Sequence, residues 1–171
     1  ASFGGWTWEQ DVLYPFGYGL SYTTFTQELQ GVTFDDTAHT AAVQVKVTNT
    51  GAVTGKEVVQ VYGQSPYTEY DKEHLIEKAA VQLMGFEKTA ELAPGASETV
   101  TVQVPMQWLA SFDTKGYGTY IMEAGNYYFA VGSSAHDAVN NILAAKGANV
   151  NGSAALTYTW NQAETDASTY A

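Results

Sequence analysis

The side chains that could act as acids, bases or metal ligands are few in this sequence and lie far apart along it. Its three histidines are His39, His74 and His136. His39 falls in a polar turn and His74 in a charged stretch, so both are expected to be exposed to solvent. His136 falls in the first turn of a predicted helix, where the helix dipole disfavours a positive charge. A neutral packing or capping role is therefore expected for His136.

Carboxylates are more numerous but show no catalytic arrangement. Glycoside hydrolysis needs two carboxyl groups that flank one bond at a fixed separation, and no pattern places two of them on facing positions. The sequence contains no HExxH or CxxC metal motif, no GxSxG motif and no phosphate-binding glycine loop. It therefore predicts no catalytic residue, no metal site and no cofactor, and the chain by itself is expected not to be an enzyme.

Composition narrows the possible partners. The 171 residues include 18 acidic and 7 basic side chains, a formal charge of -11. This argues against nucleic acid or an anionic membrane surface as partner, and no apolar run approaches the roughly 20 residues of a membrane span. The chain has no cysteine, which fits a reducing compartment and slightly favours the cytoplasm. Because it opens without Met, it is expected to be a piece of a longer protein.

The middle of the chain has the period-two pattern of half-buried β-strands. Residues 43–48 alternate valine with polar side chains, and residues 100–104 do the same before Pro105. Further strands are predicted at GVTFDD, VVQVYGQ, AVQLMGFEK and GNYYFAVG, with ALTYTW as a late addition. Turn residues separate them, as in the APGAS stretch. The sequence predicts an all-β, immunoglobulin-like antiparallel β-sandwich.

Two segments depart from this pattern. SSAHDAVNNILAAKG predicts a short C-terminal helix, with Ser134 as N-cap, a capping box to Asp137, and Gly147 just after the helix. SPYTEYDKEHLIEKAA, residues 65–80 and here named the insertion, predicts a long loop or a loop with one helical turn. Its alternating charges favour a solvated surface with local salt bridges. A long loop on a sandwich is more often functional than idle.

The first 25 residues are unusually rich in aromatic rings. These rings include Trp6, Trp8, Tyr14, Phe16, Tyr18, Tyr22 and Phe25. Exposed rings can stack on sugars, whereas buried rings would pack against another domain. Gly17 and Gly19 allow a tight bend or a close backbone approach, which favours packing over an open platform. Interdomain packing is the preferred interpretation, and direct ligand contact is the alternative.

Four blocks in order resemble one known family. LYPFGYGLSYTTF is similar to the segment that leads into the fibronectin type III-like domain of family 3 glycoside hydrolases, such as β-glucosidases and β-xylosidases. VQVKVTNTGAVTGKEVVQVYGQSP and VQLMGFEKTAELAPGASETVTVQVP resemble the strands of that domain, and AGNYYFAVGSSAHD resembles its last strand. The resemblance covers residues 13–137. The insertion and the tail resemble the bacterial branch, in which this domain lies between the catalytic domains.

The resemblance implies that catalysis belongs to other domains. In this family the nucleophile is an aspartate of a barrel domain and the acid/base residue usually comes from an α/β domain. Asp113, Asp137 and Asp166 lack the sequence context of that nucleophile, so no catalytic residue is carried over. The implied reaction of the parent enzyme is retaining hydrolysis of terminal β-linked sugars. The implied partners are the other domains of the glycosidase, with carbohydrate as a second candidate.

The sequence thus predicts three segments and one leading function. Residues 1–26 would be an aromatic linker, residues 27–133 the β-sandwich, and residues 134–171 a helix with a C-terminal extension. The leading function is an accessory domain that packs against the catalytic domains. A carbohydrate-binding module and an oligomerisation module are the alternatives. The insertion would line the rim of the active site through Tyr67, Glu69, Tyr70, Asp71 and His74.

Overall fold

The computed structural model describes residues 22–171. The strands are β1 Phe25–Asp35, β2 Thr40–Asn49, β3 Val58–Gln64, β4 Gln82–Lys88, β5 Ser97–Pro105, β6 Ser111–Phe112, β7 Tyr120–Ile121, β8 Gly125–Val131 and β9 Thr157–Gln162. The α-helices are α1 Glu69–Glu73 and α2 Ala135–Ala145, and short 3₁₀ helices occupy Met106–Leu109 and Ala154–Leu156. None of the helices in residues 22–171 is both long and apolar enough to cross a membrane.

The strands form two facing antiparallel sheets and a small hairpin. One sheet has the order β1-β2-β5, the other β4-β3-β8-β9, and β6 pairs with β7. Val43 of β2 lies opposite Val102 of β5, and Val45 lies opposite Val100. All four side chains are buried. Residues two positions apart in a strand point to the same face, which here faces the second sheet. The predicted antiparallel β-sandwich and its valine faces are confirmed.

The core lies between the sheets. The second sheet contributes Val59, Val61, Met84, Tyr127 and Phe129, each at most 1% exposed. They pack with the valines of the first sheet in one continuous cluster. Burying a large apolar side chain contributes about 1.5–3 kcal/mol. This core can therefore fix the sheets firmly enough for loops at their ends to be held in place.

Helix α2 covers part of the outer face of the second sheet. Its Ala138 and Ile142 pack against Tyr62, Tyr128 and Ala130. The helix begins and ends where the sequence predicts it, because Ser134 Oγ accepts the Asp137 N–H at 3.1 Å and Gly147 has φ of +91°. A left-handed residue after the last turn is the usual end of a helix and suits glycine.

The capping box predicted at this helix is not formed as expected. The Asp137 carboxylate does not return to the backbone of the N-cap residue. It accepts instead from the backbone N–H of Ser133 at 2.9 Å and from the Ser133 hydroxyl at 3.2 Å. The serine that precedes the N-cap supplies two donors, which compete successfully for the single carboxylate.

The ends of the sandwich differ from the predicted segments in two ways. Strand β1 begins at Phe25, inside the stretch 1–26 predicted as a linker. Strand β9 lies in the predicted C-terminal extension and pairs with β8, with Trp160 opposite Tyr127. The late strand is therefore confirmed. The predicted division between residues 133 and 134 separates parts of one sheet.

A buried asparagine fastens the turn between β2 and β3. Asn49 is fully buried, and its Oδ1 accepts from the Thr23 hydroxyl at 2.6 Å and from the Gly51 N–H at 2.9 Å. Its Nδ2 donates to the carbonyls of Val53 and Leu92, both at 2.8 Å. A Cβ at Gly51 would overlap Thr23 Oγ1, so only glycine permits this approach.

We expect Asn49→Ala to lower the free energy of unfolding by about 3 kcal/mol or more, since several buried groups would lose partners that cost about 1–3 kcal/mol each. Urea denaturation measures the loss. Asn161→Ala is the control, because Asn161 is exposed and donates only to Asn126 among the described side-chain contacts. Equal losses for the two variants would contradict the role assigned to Asn49.

Candidate functional site

The insertion is a loop with one short helix, which is one of the two forms predicted from the sequence. Helix α1 begins after Thr68, whose Oγ1 accepts the Asp71 N–H at 3.2 Å. The Asp71 carboxylate accepts the Thr68 N–H in return, at 2.9 Å. This reciprocal capping box satisfies two donors that a helix start leaves free. It sets the position of Asp71 inside the insertion.

A buried ion cluster attaches the insertion to the sandwich. The Lys78 ammonium lies 2.9 Å from Asp71 Oδ2 and 2.7 Å from Glu123 Oε2. The exposed fractions of the three side chains are 7%, 0% and 4%, in the order Lys78, Asp71 and Glu123. Lys78 also donates to the Pro66 carbonyl at 2.6 Å. All three donors of the ammonium are therefore used.

Two carboxylates around one ammonium leave an excess negative charge inside the protein. Burial raises the pKa of Glu123, and the adjacent Asp71 raises it further, against the opposing effect of Lys78 and Thr68. Burial also acts to raise the pKa of Asp71, but Glu123, the Thr68 N–H and Lys78 together lower it below its usual value. Glu123 is thus the carboxyl of the pair that takes up a proton first.

A second link joins the insertion to the β6–β7 hairpin, residues 111–121. The Tyr70 hydroxyl donates to Asp113 Oδ2. Asp113 is fully buried, and its carboxylate also accepts the N–H groups of Gly116 at 3.0 Å and Tyr117 at 2.9 Å. The bond to Asp113 raises the pKa of Tyr70 to about 12. Burial opposes ionisation of Asp113, yet the donors from Tyr70, Tyr117 and Gly116 lower its pKa overall.

Aromatic rings lie on both sides of this link. His74 stacks on Tyr70 with ring centroids 3.8 Å apart and planes inclined at 19°. The His74 Nδ1 is 2.9 Å from the Tyr70 carbonyl oxygen. On the hairpin, the Tyr117 ring centroid lies 6.2 Å from that of Tyr70. His74 is half-buried, so its predicted exposure is wrong: stacking on Tyr70 covers one face of the imidazole.

The other histidines follow their predictions more closely. His39 is exposed, in a left-handed conformation, and its ring meets the edge of Tyr170. His136 Nε2 lies 3.3 Å from Asn140 Nδ2 on the next helical turn. This is a local contact, but His136 is exposed, so its neutral packing or capping role stays a prediction.

The predicted rim residues divide into two groups. Tyr67 is 57% exposed, and Glu69 is exposed and pairs with Lys72 at 3.1 Å. Tyr70, Asp71 and His74 instead make contacts inside the protein. Asp71 in particular is bound to Thr68 and Lys78, so its structural role is to hold the insertion. The predicted solvated, salt-bridged surface is wrong for Asp71 and Lys78, because Glu123 reaches them from a distant part of the chain.

The predicted docking residues lie almost entirely outside the described part of the chain. Trp6, Trp8, Tyr14, Phe16 and Tyr18 lie outside residues 22–171. Tyr22 lies inside and is 74% exposed. The packing of this aromatic segment on another domain stays a prediction.

A cleft opens between the insertion and the hairpin. Its volume is about 230 Å³, and its lining residues are Thr68, Tyr70, Tyr117, Glu123, Ala124 and Thr165. Glu123, Tyr117 and Thr165 were not singled out from the sequence, since only the fold brings them beside residue 70. Within residues 22–171 no group of three or more His, Cys, Asp or Glu side chains could hold a metal ion.

Comparison with known proteins gives one consistent result. The family model of the fibronectin type III-like domain matches residues 57–135. A β-glucosidase from Ruminococcus albus is 41% identical in an alignment of 131 residues, and the match covers 74% of this chain and 13% of that protein. An exo-α-(1→6)-L-arabinopyranosidase from Bifidobacterium longum is 38% identical over 140 residues, 81% of this chain and 17% of that protein.

Solved structures agree with the sequence relatives. The structure of β-glucosidase 3B from Thermotoga neapolitana in complex with α-D-glucose matches with a TM-score of 0.61 and 37% identity. The match covers 90% of this chain and 18% of that one. The chain thus spans less than a fifth of the length of these relatives.

We expect Lys78→Met to destabilise the chain by about 3–5 kcal/mol, because removing one partner of a buried ion pair leaves uncompensated charge inside the protein. Chemical denaturation near neutral pH measures the effect. The matched control is Lys72→Met, which removes an exposed partner of Glu69 and should cost less than about 1 kcal/mol. Similar, small losses for both variants would show that the Lys78 cluster does not hold the insertion.

Proposed function

The chain belongs to the fibronectin type III-like domains of family 3 glycoside hydrolases, and from this we propose that it serves as a non-catalytic accessory domain of a β-glucosidase-like enzyme. The observation that carries the proposal is the unequal coverage of the matches. Three quarters of this chain match the Ruminococcus albus β-glucosidase, but only 13% of that enzyme is involved. Most of such an enzyme lies outside the matched region, which leaves room for separate catalytic domains.

The arrangement of carboxylates supports a non-catalytic role. A retaining glycosidase needs two carboxyl groups about 5–5.5 Å apart that both face the substrate. Asp71 and Glu123 lie close together, but both are bound to Lys78 and almost fully buried. Asp113 is fully buried and accepts from three donors of the hairpin and the insertion. These carboxylates hold the fold and are not free to attack or protonate a sugar.

The proposed partners are the other domains of the same enzyme. The aromatic segment 1–26 would pack against a neighbouring domain, and the sandwich would fix the relative position of the catalytic domains. The parent reaction would be retaining hydrolysis of a terminal sugar. The relatives include a β-glucosidase and an arabinopyranosidase, so the proposal extends to the class of terminal glycosides and leaves the sugar open.

The insertion is proposed to reach the rim of the parent active site. Its capping box, ion cluster and Tyr70–Asp113 bond hold it in one position on the sandwich. A loop held in this way can present Tyr67, Glu69 and the outer edge of His74 to a ligand with little loss of conformational entropy. Tyr67 is the most exposed ring of this set.

We expect the chain alone to release no product from aryl β-glucosides or β-xylosides, because the buried carboxylates in the described part of the chain, Asp71, Asp113 and Glu123, are bound by structural donors. The measurement is a continuous chromogenic assay with purified chain, and the whole enzyme is the positive control. Turnover that exceeds the buffer rate and survives repurification would contradict the accessory role.

We expect Tyr67→Ala in the whole enzyme to reduce kcat/KM for an oligosaccharide by about three- to tenfold, the effect of losing one stacked ring of about 0.5–1.5 kcal/mol. An aryl glycoside, which does not extend to an outer subsite, should be hydrolysed as before. Tyr120→Ala is the control, since Tyr120 is an exposed ring that lies outside the insertion. Unchanged values for both substrates would leave Tyr67 as ordinary surface.

A further inference from the structure

We propose that the cleft between α1 and the β6–β7 hairpin binds one uncharged sugar ring. The proposal rests on the proposed function and names a ligand site within the accessory domain itself. The cleft is about 230 Å³ in volume. Pockets for drug-sized ligands start at about 300 Å³, so this cleft suits a ligand of a single ring.

One wall of the cleft is an exposed aromatic ring. Tyr70 and Tyr117 both line it, inclined at 40° to each other. His74 already stacks on the Tyr70 ring at 3.8 Å. Tyr117 is 57% exposed and therefore offers the free ring surface. The apolar face of a sugar can pack on such a ring while its hydroxyl groups turn toward polar neighbours.

The opposite wall supplies hydrogen-bonding groups with spare capacity. Glu123 accepts one side-chain bond at each oxygen, from Thr68 at 2.7 Å and from Lys78 at 2.7 Å. A carboxylate has about four lone-pair sites, and Asp71 also lies within hydrogen-bonding reach of Glu123, so about one acceptor position of Glu123 is left for a ligand in the cleft that it lines. The Thr165 hydroxyl oxygen accepts the Ala124 N–H at 3.2 Å. In the described residues its own proton has no acceptor, so Thr165 can donate to a ligand.

Charge selects against acidic sugars. Asp71, Lys78 and Glu123 carry one positive charge and two carboxyls, and the chain as a whole has a formal charge of -11. An anionic ligand in contact with Glu123 would meet repulsion in a partly desolvated site. A neutral sugar has no such penalty, and its hydroxyl groups can donate to the carboxylate. Glucose should therefore bind in the cleft more tightly than glucuronate, because glucuronate carries a negative charge and glucose does not.

The cleft is held on both sides by bonds that do not depend on a ligand. Thr68 donates to Glu123, which fixes the Glu123 wall of the cleft to the insertion. Asp113 accepts from Tyr70 and from the Tyr117 N–H, which fixes the hairpin to the insertion. A site whose walls are positioned before binding loses little entropy when the ligand arrives. The structural bonds of the site thus also favour its proposed role in binding.

The test is titration of the isotope-labelled 171-residue chain with glucose, xylose, cellobiose and glucuronate, followed by amide chemical shifts. We expect saturable shifts of residues around the cleft with the neutral sugars and much weaker shifts with glucuronate. Tyr117→Ala should weaken binding of the neutral sugars about three- to tenfold. Thr165→Val removes the free donor and also the acceptor of the Ala124 N–H while it keeps the side-chain shape, and it should weaken binding by a smaller factor.

The matched control is Tyr120→Ala, on the same hairpin. Tyr120 is 49% exposed and packs against Phe112, but it does not line the cleft. Its loss should leave sugar binding unchanged. Spectra of each free variant show whether the fold is kept, and Thr165→Val carries the test if Tyr117→Ala disturbs the hairpin.

Three outcomes would overturn the proposal. The first is no saturable binding of any neutral sugar by the chain. The second is equal loss of binding in the Tyr117 and Tyr120 variants, and the third is glucuronate binding as tight as glucose binding. None of these results would contradict the accessory function, which is tested separately by the chromogenic assay of the chain alone.

Discussion

The buried ammonium of Lys78 is the interaction on which the described site depends. It pairs with Asp71 from the insertion and with Glu123 from the segment before β8, and it binds the Pro66 carbonyl as well. A buried carboxylate without such a partner would have to take up a proton or reach solvent. By contrast, the exposed Lys72–Glu69 pair is of the kind that contributes about 0–1 kcal/mol. The position of the insertion is therefore set inside the protein, where Lys78 near its end supplies the charged attachment and the Tyr70–Asp113 bond a second link.

The sandwich makes this arrangement possible by supplying fixed points. Strand β8 lies between β3 and β9 in the second sheet, and Tyr127 on it donates to the Glu123 carbonyl at 2.7 Å. The backbone at Glu123 is thus held by the core, and only its side chain reaches the ion cluster. The hairpin is attached in a different way, through Asp113 and its donors. Two loops that are distant in sequence are thus joined by a hydrogen bond and an ion cluster at an end of the sandwich.

The sequence predicted the strands and the ends of helix α2, because these depend on residues close together along the chain. The valines at 43–47 and 100–104 alternate because one face of each strand is buried, and Ser134 and Gly147 mark the ends of α2 by their own conformational preferences. The ion cluster has no such local signal. Lys78 and Glu123 are 45 residues apart, and the charged residues around Lys78 are typical of an exposed loop. Only the antiparallel order of β3 and β8 brings them together.

The same geometry explains why carboxylates can be prominent in a domain without catalysing a reaction. A catalytic carboxyl must keep one oxygen free and within reach of the substrate, whereas the oxygens of Asp113 and the Oδ2 of Asp71 are occupied by donors from two loops. Asp71 Oδ1 has no hydrogen-bond partner among the described residues, but it is buried and cannot reach a substrate. Glu123 differs, since it lines the cleft while it also binds Lys78 and Thr68. It can accept hydrogen bonds from a ligand, but the ammonium that holds it also prevents it from acting as a free nucleophile. Binding and positioning are thus the chemistry that this charge arrangement permits.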